Sequence, residues 1–257
     1  MVSPEAAAEH SGPIISLAAE KVGSLFGFPI TNSLLASWLV VAALVTIGIA
    51  VRRKVALVPR GLQNGVEAVL EFLLQLADQV TGDRRQSERF FPLVATIFLF
   101  IVAANWFGLL PVFGPIGVRE FHAGRPVLVP LLRSANADLN TTLALAIIAV
   151  VSLQVFGVAT LGFAKYAGKF FNFRNPVLFF VGILELIGEV AKMVSFSFRL
   201  FGNIFAGEVL LLVVGSLVAY VAPLPFYGLE LFVGFIQALV FATLTLVFLK
   251  MATAEAH

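Results

Sequence analysis

The 257-residue chain contains no cysteine and only three histidines, and just 12% of its residues are charged, against 60% apolar. Without cysteine there is no disulfide, thiolate metal site, iron–sulfur centre or thiol nucleophile, and three scattered histidines make no metal cluster. A soluble domain of this size carries about one charged residue in four, so the composition is that of a chain built for lipid. Seventeen Lys and Arg against fifteen Asp and Glu leave a net charge of +2, too small to argue for a nucleic acid partner. No GxGxxG or GxxxxGK[ST] phosphate loop occurs, so no nucleotide is expected to bind this chain, and no cofactor is implied. Glu5 and Glu9 stand where a secretory signal would be basic, and the Arg- and Ser-rich look of a transit peptide is missing. The start therefore reads as uncleaved, pointing to a bacterial inner membrane over an organelle.

The apolar residues fall into long runs. Ser33 to Val51 carries no charge, and Arg52, Arg53, Lys54 and Arg60 follow together, the flank expected on the cytoplasmic side of a first span. That places the N-terminus outside. Residues 1–30 read as an outer tail with a short surface helix or a linker over 14–27, and 31–257 as one helical membrane domain. Gly61 to Thr81 alternates Leu62, Val66, Val69, Leu73 and Leu76 with Gln63, Glu67, Glu71 and Asp78 at helical spacing, an amphipathic surface helix. A second span is expected from Phe90 to Leu110, then a Pro- and Gly-rich outer stretch from Pro111 to Pro130. A third runs from Leu139 to Ala164, with Lys165, Lys169 and Arg174 on the inner side.

From Pro176 to Ala222 no interior proline occurs. One helix of that length extends about 70 Å against a hydrocarbon core of about 30 Å, so it either breaks, with Gly182 or Gly188 the best places, or lies strongly tilted. Pro223 to Pro225 make a turn, and Phe226 to Met251 returns as an apolar helix ending at Lys250, which snorkels at the inner surface. The fold class is all-α and polytopic, with five crossings counting this hairpin as two. The C-terminus then lies in the cytoplasm.

The hairpin holds ionisable and polar groups in the wrong solvent. An Arg at mid-membrane costs about 3 kcal/mol even on insertion scales, so each is a candidate for ion handling. Glu189 and Lys192, three apart, can neutralise each other as a plain structural pair. Arg199 has no such neighbour: Glu208 and Glu189 are nine and ten residues away. At about 100° per residue, Ser195, Arg199 and Asn203 line one face with Lys192 beside them, and Glu208 is nearly opposite. A guanidinium that never loses its proton serves as a fixed positive charge facing an acid supplied by something else. One antiparallel register sets Arg199 opposite Gln237 and Glu208 close to Glu230, although the turn's midpoint alone places the two helices about a turn out of that register. In that register Glu208 and Glu230 form a pair of apposed carboxylates, suited to relaying protons. Asp138, Asn140, Thr141 and Thr142, at the outer mouth of the third span, either extend that route or simply cap a helix.

The segment SFSFRLFGNIFAGE, Ser195 to Glu208, followed by IQALVFATLTLVFLKMATAEAH, closely resembles subunit a of the F-type ATP synthase membrane sector. PRGLQNGVEAVLEF and SANADLNTTLALA resemble the same family, so the likeness runs from Val58 to the end. It implies a non-catalytic stator subunit that stands with peripheral-stalk b subunits beside a rotating ring of c proteolipids, each bearing a membrane carboxylate. Two offset half-channels then pass protons to and from the ring. By position, Arg199 matches the family's essential arginine, and Ser195 and Asn203 the polar positions flanking it. Gln237 matches the glutamine across the hairpin, Glu208 the acid of the outer half-channel, Glu185 an acid near the inner one, and Lys192 a basic position beside it. Some members carry histidine where this chain has Glu230, so here the relay is all carboxylate. A proton-coupled secondary transporter is the alternative, but the chain shows no halves of matching hydropathy. A purely structural scaffold with paired, inert charges is a third.

Overall fold

Thr31 ends a strand and starts a helix: its hydroxyl accepts the Leu34 amide at 3.3 Å, capping α1 (Asn32–Arg53), which finishes on Arg52 and Arg53. The computed structural model describes residues 19–25, 27–110, 117–122, 125–130, 132–170, 176–218 and 222–254. Before α1, β1 (Lys21–Leu25) and β2 (Phe28–Thr31) pair antiparallel around Gly27, whose φ of 87° suits a residue without a side chain. Residues 21–25 are thus strand, not the expected surface helix; Ile14 to Ala18 lie outside the described residues. Strands win because pairing at a tight glycine turn satisfies backbone groups that a short isolated helix would leave to solvent.

α2 (Leu62–Thr81) is the amphipathic helix of the sequence. It buries Leu73 and Ala77 and stops at Gly82, which is left-handed at φ 71° and donates its amide to Asp78. Asp83 accepts the Arg85 amide and starts α3 (Arg84–Gly108) six residues before the expected Phe90, so its first turn is basic. β3 (Gly117–His122) and β4 (Arg125–Pro130) form a hairpin in the stretch read as loop, and a single 3₁₀ turn at Ala135–Ala137 leads to Asp138, the cap of α4 (Leu139–Leu161). Gly162, at φ 82°, ends α4, and the eight-residue α5 (Phe163–Phe170) turns back towards α6 (Pro176–Leu217).

α6 is one continuous helix of 42 residues, about 63 Å long. The break expected near Gly182 or Gly188 does not occur. Gly182 has another use: the Phe170 carbonyl lies against its Cα, where a Cβ would collide. α7 (Pro223–Thr253) begins at the prolines expected to form the turn, because the first helical turn tolerates a residue without an amide hydrogen.

Among the described residues the fold is all-α apart from the two hairpins. Four helices, α1, α3, α4 and α7, are long and apolar enough to cross a membrane. α6, the fifth crossing of the expectation, is outside that group, with Glu185, Glu189, Lys192, Arg199 and Glu208 along it. α3 packs on α7, and α4 on both α6 and α7. Phe196 of α6 stacks on Phe241 with ring centres 4.7 Å apart and meets Phe248 edge-on at 5.8 Å. Val45 and Ile49 of α1, and Ile148, Val151 and Val155 of α4, stay exposed on the outside, as lipid-facing side chains do.

Candidate functional site

The middle of the α6–α7 pair is fixed by a hydrogen bond in which the Gln237 side-chain amide donates to the Arg199 carbonyl at 3.3 Å. About two helical turns nearer the hairpin turn, the Glu230 carboxyl lies directly on Gly207, where any Cβ would overlap it. These two contacts establish the register that pairs Arg199 with Gln237 and brings Glu230 to the level of Glu208. The turn-midpoint register is not the one formed: α7 starts at its prolines, so the two helices end unevenly.

The Arg199 side chain is exposed on α6, and its one hydrogen bond within the described residues is donated to the Ser195 hydroxyl at 3.2 Å. No described carboxylate stands within ion-pair distance of it. Asn203 is exposed on the same face, as are Ala191, Gly202 and Ala206. The cation therefore stands on a strip of small side chains. Towards the start of α6, Lys192 is held by Glu189 at 2.7 Å and lies 4.9 Å from the centre of the Phe248 ring, so the plain ion-pair reading of these two is the one found. A cavity of about 270 Å³ opens between α6 and α7, lined by Gly188, Lys192, Ser195, Arg199, Leu244 and Phe248 among others. Glu185, further along, pairs with Lys169 of α5 at 2.5 Å. Beside it Tyr166 donates to the Gln154 side chain at 2.5 Å. Burial pushes the Tyr166 phenol up to about 12, with the Glu189 and Glu185 carboxylates adding to the effect.

On the other side of Arg199 the expected carboxylate relay takes a different form. Glu208 is gripped by Arg133, whose Nε stands 3.1 Å from both carboxylate oxygens and whose Nη2 is 3.0 Å from one of them. Arg133 is 7% exposed and also lies 5.8 Å from the Phe205 ring centre. Glu230 is equally buried, at 7%, and makes no hydrogen bond or ion pair with the described residues. Asp138 caps α4 by accepting the Asn140 amide at 3.0 Å, and its other oxygen accepts the Ser33 hydroxyl at 2.7 Å. Thr142 meets Ser197 at 3.2 Å inside the α4–α6 contact, and Asn140 faces outwards.

Sequence reasoning passed over Arg133, which reads as one more outer charge, and over a buried amide thread. Asn136 donates to Asn105 at 2.7 Å, and Asn105 donates to the Gly234 carbonyl at 2.8 Å, one turn from Glu230 on α7. The signal available was polar residues within apolar runs, Asn105 in the second span above all. No group of three side chains suited to a metal occurs among the described residues.

The sequence model of the family described as ATP synthase A chain matches residues 34–250, from the first turn of α1 to the last turn of α7. The chain belongs to that family. The ATP synthase subunit a of Campylobacter jejuni subsp. jejuni, strain 81-176, is 36% identical over 224 residues, spanning 85% of this chain and 89% of the relative. That of C. jejuni subsp. doylei is 37% identical over 218 residues, spanning 84% and 87%. That of Moorella thermoacetica is 31% identical over 223 residues, spanning 86% and 90%. Membership in the ATP synthase A chain family and the apolar helices together make this an integral membrane protein of the ATP synthase membrane sector, tied to ion transport and ATP synthesis.

Proposed function

We propose that the chain is the proton-conducting stator subunit of an F-type ATP synthase, and that Arg199 separates two half-channels opening on opposite sides of the membrane. The observation that carries this reading is a fixed cation on the outside of α6 with a serine hydroxyl as its partner and no described carboxylate to neutralise it. Leaving a guanidinium in this state in lipid is costly, and an anion brought by a neighbouring subunit removes the cost. The flanking Ala191, Ser195, Gly202, Asn203 and Ala206 let another helix approach closely, as small residues do at helix contacts within membranes. A ring of c proteolipids, each with a membrane carboxylate, fits that face, and the peripheral-stalk b subunits hold the stator still.

On this reading a proton enters from the outer side, past Asp138 and the Glu230 and Glu208 pair, and neutralises a ring carboxylate. A neutral acid can face lipid and travel round with the ring; an ionised one cannot. When the acid returns, Arg199 favours its ionised form, and the proton leaves through the cavity by Lys192 and Ser195, with Asn203 beside the entrance and Glu185 near the inner end. A membrane potential supplies about 2.3 kcal/mol per charge per 100 mV, which a leak past Arg199 dissipates without torque. The length of α6 is accommodated by lying oblique against the side of the ring. The N-terminus is outside and the C-terminus in the cytoplasm of a bacterial inner membrane, following the basic residues after α1, at the start of α3 and after α4.

The cysteine-free sequence permits a direct test. A single cysteine at Asn203 should form a disulfide, on oxidation in membranes, with a cysteine placed beside the ring carboxylate. One at the exposed Val45 of α1 should not. Cross-linking from Val45 and none from Asn203 would contradict the proposal.

A further inference from the structure

The two carboxylates on the outer side of Arg199 are not equivalent. Glu208 is held through both its oxygens by the Arg133 guanidinium, itself more than nine-tenths buried. Such forked pairs fix geometry as well as charge. Glu230 is as buried as Arg133 but has no partner in the described structure, and it rests on bare backbone at Gly207. On its α6 side the carboxyl meets the Gly207 backbone, and on α3 the Asn105 amide donates to the Gly234 carbonyl and Trp106 Nε1 to the Leu231 carbonyl at 3.1 Å.

We infer that Arg133 is a positioning residue that commits Glu208 to a standing ion pair and leaves Glu230 as the carboxyl that carries protons in the outer route. This rests on the proton-conducting reading above. A proton from outer water bonds to a Glu230 carboxylate oxygen, giving the acid and leaving hydroxide to the bulk. That O–H bond then breaks as the proton passes to the ring carboxylate, which regenerates the Glu230 anion, and no electrons change hands. Glu208, occupied by Arg133, stays in place beside it as a fixed anion balanced by a fixed cation. A single mobile proton site with a neutral pair next to it avoids two carboxylates competing for one proton.

The test uses the assembled ATP synthase in inverted membrane vesicles, reading ATP-driven acidification with a pH-sensitive dye and scaling it to the amount of assembled complex. Glu230→Gln should bring pumping to background. Arg133→Gln leaves the half-buried Glu208 without its counter-charge and should lower the rate by roughly tenfold, whereas Arg133→Gln with Glu208→Gln removes both charges together and should recover most of that loss. Arg133→Lys keeps the charge without the fork and should give an intermediate rate, which a merely space-filling role would not. The inference is overturned if the double variant pumps no better than Arg133→Gln, or if Glu230→Gln retains as much pumping as that double variant. Should Arg133→Gln fail to assemble, an Arg133→Lys rate equal to that of the unaltered complex overturns it equally. Arg199→Ala in the same vesicles separates the two levels: pumping retained there defeats the proton-conducting reading itself, while pumping lost there beside a flat Arg133 and Glu208 cycle defeats only the division of labour.

Discussion

The side chain of Gln237 reaches across from α7 to the backbone carbonyl of Arg199 and not to its guanidinium. The cation is therefore aimed outwards while its own main chain is anchored inwards. Gln237→Leu removes one hydrogen bond, worth about 1 kcal/mol, and leaves the charge in place. The expected outcome is a complex that assembles and pumps several-fold more slowly, measured by dye quenching per assembled complex. Loss of assembly would show that the bond holds the helix pair together.

Gly207 has no room for a methyl group because the Glu230 carboxyl occupies that space. Gly207→Ala should destabilise the α6–α7 contact by about 1–3 kcal/mol and cut pumping. Adding Glu230→Asp, which withdraws the carboxyl by one methylene, should restore the lost thermal stability, as read from unfolding of the detergent-solubilised complex. An additive double variant would mean that the crowding is relieved elsewhere.

Asn105 serves both Asn136 and the Gly234 carbonyl. Asn105→Leu removes both bonds, leaving the Asn136 amide only a long 3.5 Å contact to the Ile101 carbonyl and the Gly234 carbonyl only its helical bond, and should lower thermal stability by about 1 kcal/mol for each bond lost. Asn105→Leu combined with Asn136→Leu should cost less than the sum of the two single changes, a result a double-mutant cycle reads directly.

Tyr166, in α5, titrates from an ordinary value of 10.0 to about 12 because burial and then the nearby Glu189 and Glu185 disfavour the phenolate. Below the ordinary value both folded and unfolded chains hold a neutral phenol and the contribution to stability is whole. As pH rises from about 10 to about 12 the unfolded chain ionises first, so that contribution is progressively lost. In a phenolate absorbance titration of the chain's three tyrosines, a step near 12 should vanish in Tyr166→Phe and move down in Glu185→Gln. A step that stays put in Glu185→Gln would show that burial acts alone.

The parts of this molecule that follow from local chemistry were legible in the sequence. The charge flank at Arg52 to Lys54 marks the end of α1, the apolar stripe of Gly61 to Thr81 gives α2, and the length from Pro176 onwards shows that no upright helix fits. The register of the hairpin also follows, because a single antiparallel alignment brings two polar residues of α6, Arg199 and Glu208, level with two of α7, Gln237 and Glu230. What depends on distant contacts was not legible. Arg133 lies just past the Pro- and Gly-rich outer stretch, where a charge normally meets water, and only the fold brings it to Glu208, 75 residues away. Lys169 likewise reads as an inner-surface charge until α5 turns it onto Glu185. The paired strands at Lys21 to Thr31 and Gly117 to Pro130 escaped notice because neither carries the strict alternation that marks a strand with one buried face.

The central claim concerns the charge at position 199, and the measurement that tests it most directly is proton flux through vesicles carrying Arg199→Ala. The account predicts that ATP-driven pumping disappears while passive proton conductance through the membrane sector persists or rises, since the two half-channels are no longer kept apart. Coupled pumping at an undiminished rate in Arg199→Ala would contradict it.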